Sequence, residues 1–244
     1  MNWYRIDLHI HTALSPCTSD EMSPVNIVKM AKLEGLSLIA ITDHNASFNC
    51  VSAVKAGEQV GVTVLFGMEV QTKEEVHVLT LFEDAKHIHS WQEIVSSRLK
   101  RIPNNFRAFG QQLVFDPLGN IVLDYPWVLQ QGLDYSLEEL TRDCTALGGL
   151  VIPAHIDRPS FGLIGQLGFI PPNLACAGWE ISSSGLDIAT VPGTLICNSD
   201  AHDLTDLIRP HKYQTWLYGQ TPSFSELVLG LANRCNRRVV IGKD

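Results

Sequence analysis

Seven short apolar runs that alternate with helical stretches constrain the fold of this chain more than any other feature. The runs cover residues 4–10, 36–42, 62–70, 75–82, 149–154, 175–181 and 194–198. Most are close to continuously apolar, which is the pattern of parallel strands covered on both faces. Helix signals lie between them. Ser23-Pro24 supplies an N-cap and a first helical residue, with Gly35 as the stop, and further helical stretches cover 48–60, 84–102 and 136–147. The last opens with Ser136-x-x-Glu139, a capping box. The predicted class is α/β, a barrel of parallel strands, forming one domain over residues 1–244. Only about 103–135 breaks the rhythm: Gln112–Asp116 and Ile121–Asp124 flank Pro117-Leu118-Gly119-Asn120 and predict a β-hairpin. Too short to own a core, this segment is expected to be an insertion on the barrel.

Apolar residues make up 45% of the chain and charged ones 18%, a composition that supports a large buried core. The net charge of −8 argues against long nucleic acid held by backbone neutralisation. A small phosphorylated substrate, with a short nucleotide as one option, remains compatible, because bound divalent cations would change the local field. The six cysteines show no CxxC spacing, and Cys176 and Cys197 fall in apolar runs, so reduced thiols in a cytoplasmic protein are expected. Met1 leads straight into the first strand, and no apolar run approaches the roughly 20 residues that span a bilayer. The expectation is a soluble protein with no membrane partner; oligomeric state has no signature.

Metal-ligand side chains fall at the ends of the strands. His9 and His11 end the first, Asp43-His44 the second and Glu69 the third. His77 lies in the fourth run, His155 follows the fifth, and Asp200 and His202 follow the last. In a barrel of parallel strands these ends meet at one rim, where active sites are built. A lone His-x-His on a strand is more often incidental than ligating, and an isolated Asp-His can be a helix cap. Six segments aimed at one rim make a different case. Imidazoles with carboxylates suit zinc, manganese or iron, and the absence of clustered thiolates argues against a structural cysteine-rich zinc site. His9 and His11, two apart on a strand, share a face. By contrast, His87-x-His89 on a helix and His211 are expected to be surface residues.

The motifs Asp7-Leu8-His9-Ile10-His11, Ile41-Thr42-Asp43-His44, Gly67-Met68-Glu69, His77, Pro153-Ala154-His155 and Ser199-Asp200-Ala201-His202 resemble, in order, those of the PHP (polymerase and histidinol phosphatase) family. The stretch from Leu14-Ser15-Pro16-Cys17 to Glu21-Met22-Ser23-Pro24 resembles a bacterial subgroup of stand-alone metal-dependent phosphoesterases. The resemblance implies a distorted (β/α)7 barrel and three divalent cations. One ion would take His9, His11, Glu69 and Asp200; a second would share Glu69 and add His77 and His155. A third would take His44 and His202 with one ligand from the loop after the first motif. There many members carry histidine or aspartate, and this chain carries Pro16 and Cys17. Glu21 is taken as that ligand, with Asp20 in reserve and Cys17 as a further option.

Glu69, Asp200 and His202 are the expected catalytic residues, with Arg158 binding the substrate phosphate or, in the blander reading, closing a surface salt bridge. Asp7 and Asp43 are expected to orient ligand imidazoles. The insertion, with Arg101 and Arg107 near it, is expected to form a wall or lid. The leading function is hydrolysis, by metal-activated water, of a phosphomonoester or the terminal phosphate of a small nucleotide. The rivals are a 5′ exonuclease or nucleotide 3′,5′-bisphosphate phosphatase, and a PHP fold without catalysis that serves as a binding module.

Overall fold

A computed structural model describes residues 1–182, 191–210 and 213–242. The chain runs β1 (Asn2–Ile10), α1 (Pro24–Leu33), β2 (Leu36–Ile41), α2 (Cys50–Val60), β3 (Thr63–Gln71), β4 (His77–Phe82), α3 (Ala85–Arg98) and α4 (Phe106–Phe109). It continues through β5 (Leu113–Phe115), β6 (Ile121–Asp124), α5 (Leu137–Ala146), β7 (Leu150–Pro153), α6 (Leu163–Leu167), β8 (Trp179–Glu180) and β9 (Leu195–Ile196). It ends with β10 (Thr215–Gly219), α7 (Phe224–Leu231) and β11 (Arg238–Ile241). The helix signals act as their chemistry dictates: the Ser23 hydroxyl accepts from Asn26 N–H, and Ser136 with Glu139 forms a complete capping box.

The fold is α/β with a curled seven-stranded sheet in the order β11-β10-β1-β2-β3-β4-β7. The expectation of an all-parallel barrel needs correction. Within this sheet only β1–β2 and β2–β3 pair in parallel; β3–β4, β4–β7, β1–β10 and β10–β11 are antiparallel. The reason lies in the connection between β3 and β4. Parallel neighbours need a crossover of a dozen or more residues, and a turn of a few residues, closed by Val76 O accepting from Thr72 N–H with Glu75 at φ 60°, links these two. Reversal of β4 preserves the convergence of ligands. His77 is the first residue of β4 and pairs with Gln71 at the end of β3, so it starts at the rim where Glu69 ends.

Two of the expected strands, 175–181 and 194–198, shorten to the parallel pair β8–β9. Hydrogen bonds still carry the ring around: Ala177 N–H donates to Val151 O at 2.8 Å and Ile156 N–H to Glu180 O at 2.9 Å. On the other side His11 N–H donates to Ala201 O at 3.0 Å. Below that contact the lower half of β1 is occupied by β10, which the sequence patterns did not predict.

Two apolar clusters sit on the two faces of the sheet. Leu38, Ala40, Leu65, Leu79, Leu81, Ile152 and Ile196 fill the concave side with Leu227 and Leu231 of α7. Ile39, Ile41, Val64, Phe66, Met68, Val78 and Val151 pack outward under α1, α2, α3 and α5. In β1, Ile6 and Leu8 belong to the concave cluster and Ile10 to the outer one. The change of face coincides with a register shift against β2 between Asp7 and Ile10. A bulge of this kind re-aims side chains, and here it turns His9 and His11 into the mouth of the concave side.

The predicted hairpin is present as β5–β6. Its first strand is tied to α2, because Asn49 accepts from Phe115 N–H and donates to Leu113 O while the Ser52 hydroxyl donates to Phe115 O.

Candidate metal centre

Six strand ends deliver the cluster, and Glu69 is its hub. The Glu69 carboxylate is buried, with Oε1 3.2 Å from His9 Nε2, 2.9 Å from His77 Nδ1 and 3.3 Å from His155 Nε2. Its Oε2 lies 2.9 Å from His44 Nδ1 and 3.5 Å from His11 Nε2. Asp200 Oδ1 closes the other side, 3.1 Å from His9 Nε2 and 3.2 Å from His11 Nε2. Among the described residues, three groups of ligand atoms lie within 4.8 Å of one another: His9, His11 and Glu69; His44, Glu69 and His77; His11, His44 and His202.

The residues present fit metal ions, and the test is their hydrogen bonding. Both Glu69 oxygens, His44 Nδ1, His77 Nε2 and His155 Nδ1 are buried and make no well-directed hydrogen bond, although His44 Nδ1 stands 2.9 Å from Glu69 Oε2. Buried polar atoms left this way are costly, and native proteins satisfy nearly all of them. His9 Nε2 and His11 Nε2 also face each other at 3.1 Å. Lone pairs that converge without donors between them are what a cation requires.

In His9 and His11 the outer ring nitrogen is held, which leaves the inner one free. His9 Nδ1 is 2.9 Å from the buried carboxylate of Glu180, so its N–H donates there and Nε2 points inward. Ser15 does the equivalent for His11. Its hydroxyl donates to Asp43 at 2.8 Å, accepts from the His11 ring N–H at 3.0 Å, and accepts from His44 N–H at 3.2 Å. One donor and two lone pairs are thereby all used. Asp43 also accepts from Thr12 N–H and the Thr12 hydroxyl, both at 2.7 Å. Asp43 thus orients His11 through Ser15, while Asp7 accepts from Ser199 N–H and His9 N–H and so fixes backbone rather than an imidazole.

The electrostatics of the cluster set burial against close histidine–carboxylate pairs. Burial opposes the charge on Glu69, yet His77, His9 and His44 outweigh it and hold the carboxylate well below its usual range. Burial likewise disfavours charge on His9, but Glu180, Asp200 and Glu69 raise it well above an ordinary histidine. His11 goes the other way: burial, with His44 and His202 beside it, pushes it well below. Burial lifts Asp7 and Asp43 each to about 6. His155 and Asp200 also hold positive φ, 30° and 52°, conformations costly for residues other than glycine that concentrate at functional sites.

A cavity of about 160 Å³ opens onto the cluster, lined among others by Cys17, Gln130, Arg158 and Phe161. Arg158, 41% exposed, places Nη1 2.5 Å from Asp200 Oδ2. His202, 30% exposed, donates from Nδ1 to Asp200 O at 2.8 Å. A larger groove of about 680 Å³ between α5 and residues 171–175 shares no residue with the cluster.

Of the residues singled out from sequence, His9, His11, His44, Glu69, His77, His155, Asp200 and His202 come together here, with Arg158 at the edge. Glu21 does not. Its neighbour Met22 is buried and donates N–H to Ser19 O, which turns Glu21 out to solvent, and Asp20 is exposed beside it. Cys17 lies on the cavity wall instead. His87 pairs with Asp84 and His89 with Glu93 on the surface of α3, and His211 lies outside the described residues. The insertion contributes Gln130 to the cavity wall, whereas Arg101 and Arg107 are not among the residues that line it. Glu180 and Ser15 were missed. A single acid inside the apolar run Ala175–Ile181 was the available signal for Glu180.

The model of the PHP domain family matches residues 7–148. The uncharacterized protein MJ0043 of Methanocaldococcus jannaschii is 31% identical over 166 residues, covering 67% of this chain and 18% of that protein. The uncharacterized protein YqxK of Bacillus subtilis is 25% identical over 275 residues, covering 96% of this chain and 63% of YqxK. Among solved structures, the lesion-specific endonuclease EndoQ of Pyrococcus furiosus superposes with a TM-score of 0.71 at 21% identity, over all of this chain and 60% of that one. Endonuclease Q in complex with a 27-mer duplex carrying an abasic lesion gives 0.69 at 21% identity, over 97% of this chain and 58% of that one. The chain therefore spans less than two thirds of the length of each of these relatives. The duplex complex corrects the expectation that charge rules out long nucleic acid, because this same fold holds one. Net charge counts the carboxylates of the cluster itself, which bound cations would offset, so −8 for the whole chain says little about the rim. Ordered ligand motifs, the fold that gathers them and a matching model over more than half of its length together establish that the chain belongs to the PHP domain family.

Proposed function

We propose that the chain is a metal-dependent phosphoester hydrolase that acts on a phosphodiester of a nucleic acid strand. The observation that carries the reading is the size of the cavity against the depth of the ligands. About 160 Å³ suits a phosphoryl group, whereas pockets that enclose a whole small ligand run to roughly 300–1,000 Å³. The bulk of such a substrate lies outside, along the rim. Bound divalent cations would neutralise the phosphoryl oxygens and lower the pKa of an attacking water. His9, His11, Glu69 and Asp200, then Glu69, His77 and His155, then His44 and His202 would hold them. Glu180 and Ser15 keep the inner imidazole nitrogens deprotonated. Arg158, already beside Asp200 and half in solvent, exchanges that partner for a phosphate oxygen. His202 stands at the exposed edge, with Nδ1 held by Asp200 O and its other nitrogen left for a cation.

The test is a set of end-labelled oligonucleotides, comprising a duplex with an abasic site, the undamaged duplex and its single strand. They are incubated with the chain loaded with manganese or zinc, beside a panel of phosphomonoesters. Strand cleavage that a chelator abolishes is expected. Turnover of the monoesters alone would move the assignment to a phosphatase, and no turnover of either by chain carrying at least two metal equivalents would sink it.

A further inference from the structure

Phe106 and Phe109 of α4 are each 57% exposed, although the backbone around them is braced. Asn104 donates from its side-chain amide to Gly110 O at 2.9 Å and from N–H to Pro126 O at 2.8 Å. The Gln112 side chain donates to Tyr125 O and Trp127 O and accepts from Leu129 N–H. Single exposed apolar residues need no explanation. Here two rings lie three residues apart on one helical turn, close enough to act together, and the Arg107 guanidinium stands 5.8 Å from the Phe106 ring centre.

The charge of this segment opposes that of the chain. Residues 98–112 carry Arg98, Lys100, Arg101 and Arg107 and no acid, within a net charge of −8. Arg98 is committed internally, donating to Asp134 O and lying 3.9 Å from the centre of the Tyr135 ring. Lys100, Arg101 and Arg107 are exposed, and among the described residues none of them forms an ion pair. The segment also abuts the cavity. A Cβ on Gly110 would stand 2.4 Å from Pro16 O and 3.6 Å from Pro16 Cα, and the next residue, Cys17, lines the cavity wall. With neighbouring Cα atoms about 3.8 Å apart, the Phe109 backbone lies within about 13 Å of that wall. At about 3.4 Å per nucleotide along one strand, the gap is about four nucleotides.

We infer that Phe106 and Phe109 stack on unpaired bases of a nucleic acid strand, with Arg101 and Arg107 on its phosphates and its phosphodiester in the cavity. The inference rests on the reading of the chain as a hydrolase of nucleic acid strands, and it adds where the strand is held. Rings with cations beside them are the usual surface for single strands, and they bind without regard to sequence because every base has a face to stack. An apolar protein partner would leave the cations unmatched.

The probes are a labelled thymidine single strand and a strand of equal length whose sugars carry no base. Fluorescence anisotropy with the full chain reads both affinities, with a chelator present so that neither strand is cut. Phe106→Ala and Phe109→Ala should each weaken the base-bearing strand by about 5- to 100-fold, the usual range for one lost stacking contact, and leave the abasic strand unchanged. Phe109→Tyr, which keeps a ring, should keep the affinity. Arg101→Gln with Arg107→Gln should weaken both strands and reduce the slope of log affinity against log salt by about 1.4. Leu33→Ala, at an exposed position on α1, serves as control. Equal loss for the two strands in the phenylalanine variants, or no loss, would overturn the stacking role. Unchanged strand affinity together with loss of a self-association seen by sedimentation would give the rings to a second copy of the chain instead. Strand cleavage by metal-loaded chain, with variants that bind as wild type does, would overturn this inference alone. Wild-type chain that neither binds a strand at low salt nor cuts one when loaded would overturn the hydrolase reading as well.

Discussion

At the scale of single residues, the cluster works through side chains that touch no ion position themselves. Glu180 is the clearest case, because its buried carboxylate takes the His9 ring N–H and also accepts the His155 backbone N–H at 3.3 Å. It fixes a tautomer and steadies a residue at positive φ together. Glu180→Gln keeps the shape but removes the charge that favours a donated imidazole N–H. Metal affinity is expected to fall about 10- to 100-fold, the usual cost of removing such an outer partner. Equilibrium dialysis would read this, and restored activity at high metal concentration would separate it from a folding defect. Unchanged affinity would show that Glu180 serves the fold alone. The ligands were legible because imidazoles and carboxylates at strand ends have few other uses. Glu180 and Ser15 were not, because a lone acid or serine in a run has many, and only the folded chain shows which atom it meets.

Elements were legible where a local signal exists and not where partners are distant in sequence. The Ser23 and Ser136 caps, α2 and the β5–β6 hairpin follow from adjacent residues. The reversal of β4 was implicit in the short gap after Glu69, since four or five residues cannot make a parallel crossover. The pairing of β10 with β1 joins residues more than two hundred apart, Asn2 with Gly219, and nothing nearby announces it. Two predictions belong here. In α2, Gly57 packs so close to β3 that an added Cβ would sit 2.4 Å from Val62 O and 2.7 Å from a Val64 methyl. Gly57→Ala should therefore destabilise by about 1–3 kcal/mol by overpacking, despite the better helix propensity of alanine; a rise in melting temperature would refute the close approach. In the terminal unit, Glu226 of α7 accepts from Arg237 at 2.9 Å and from Gln220 N–H at 2.7 Å, which holds its pKa below the ordinary value. An acid depressed in the fold stabilises it above its unfolded pKa, and that contribution disappears as pH falls through the folded value. Glu226→Gln should thus melt below wild type near neutral pH, with the difference narrowing below about pH 4. A gap independent of pH would assign the loss to packing.

For the whole molecule, the curled sheet gathers on one rim a set of charges that the protein alone does not balance. Glu69, Asp200 and Glu180 are taken out of water among His9, His11, His44, His77 and His155, and several of their atoms lack directed partners. Buried polar atoms without directed partners are costly, so the fold without cations carries a weaker mouth above a well-packed concave core. Ions that bind the native state and not the unfolded chain stabilise by about 2.7 kcal/mol at one hundred times their dissociation constant. In a chain of 244 residues each kcal/mol moves the melting temperature by roughly 2–4 °C. Manganese or zinc at that excess should then raise it by roughly 5–10 °C over chelated protein. Glu69→Gln, which weakens the hub that two ion positions share, should abolish most of that increment, and it should also lower the melting temperature of the chelated protein, because the histidines that hold the carboxylate ionised lose their partner. Scanning fluorimetry over a metal titration measures both. Equal melting temperatures with metal and with chelator would mean that the rim balances its own charges, and the assignment of the cluster as a metal centre would fall with them.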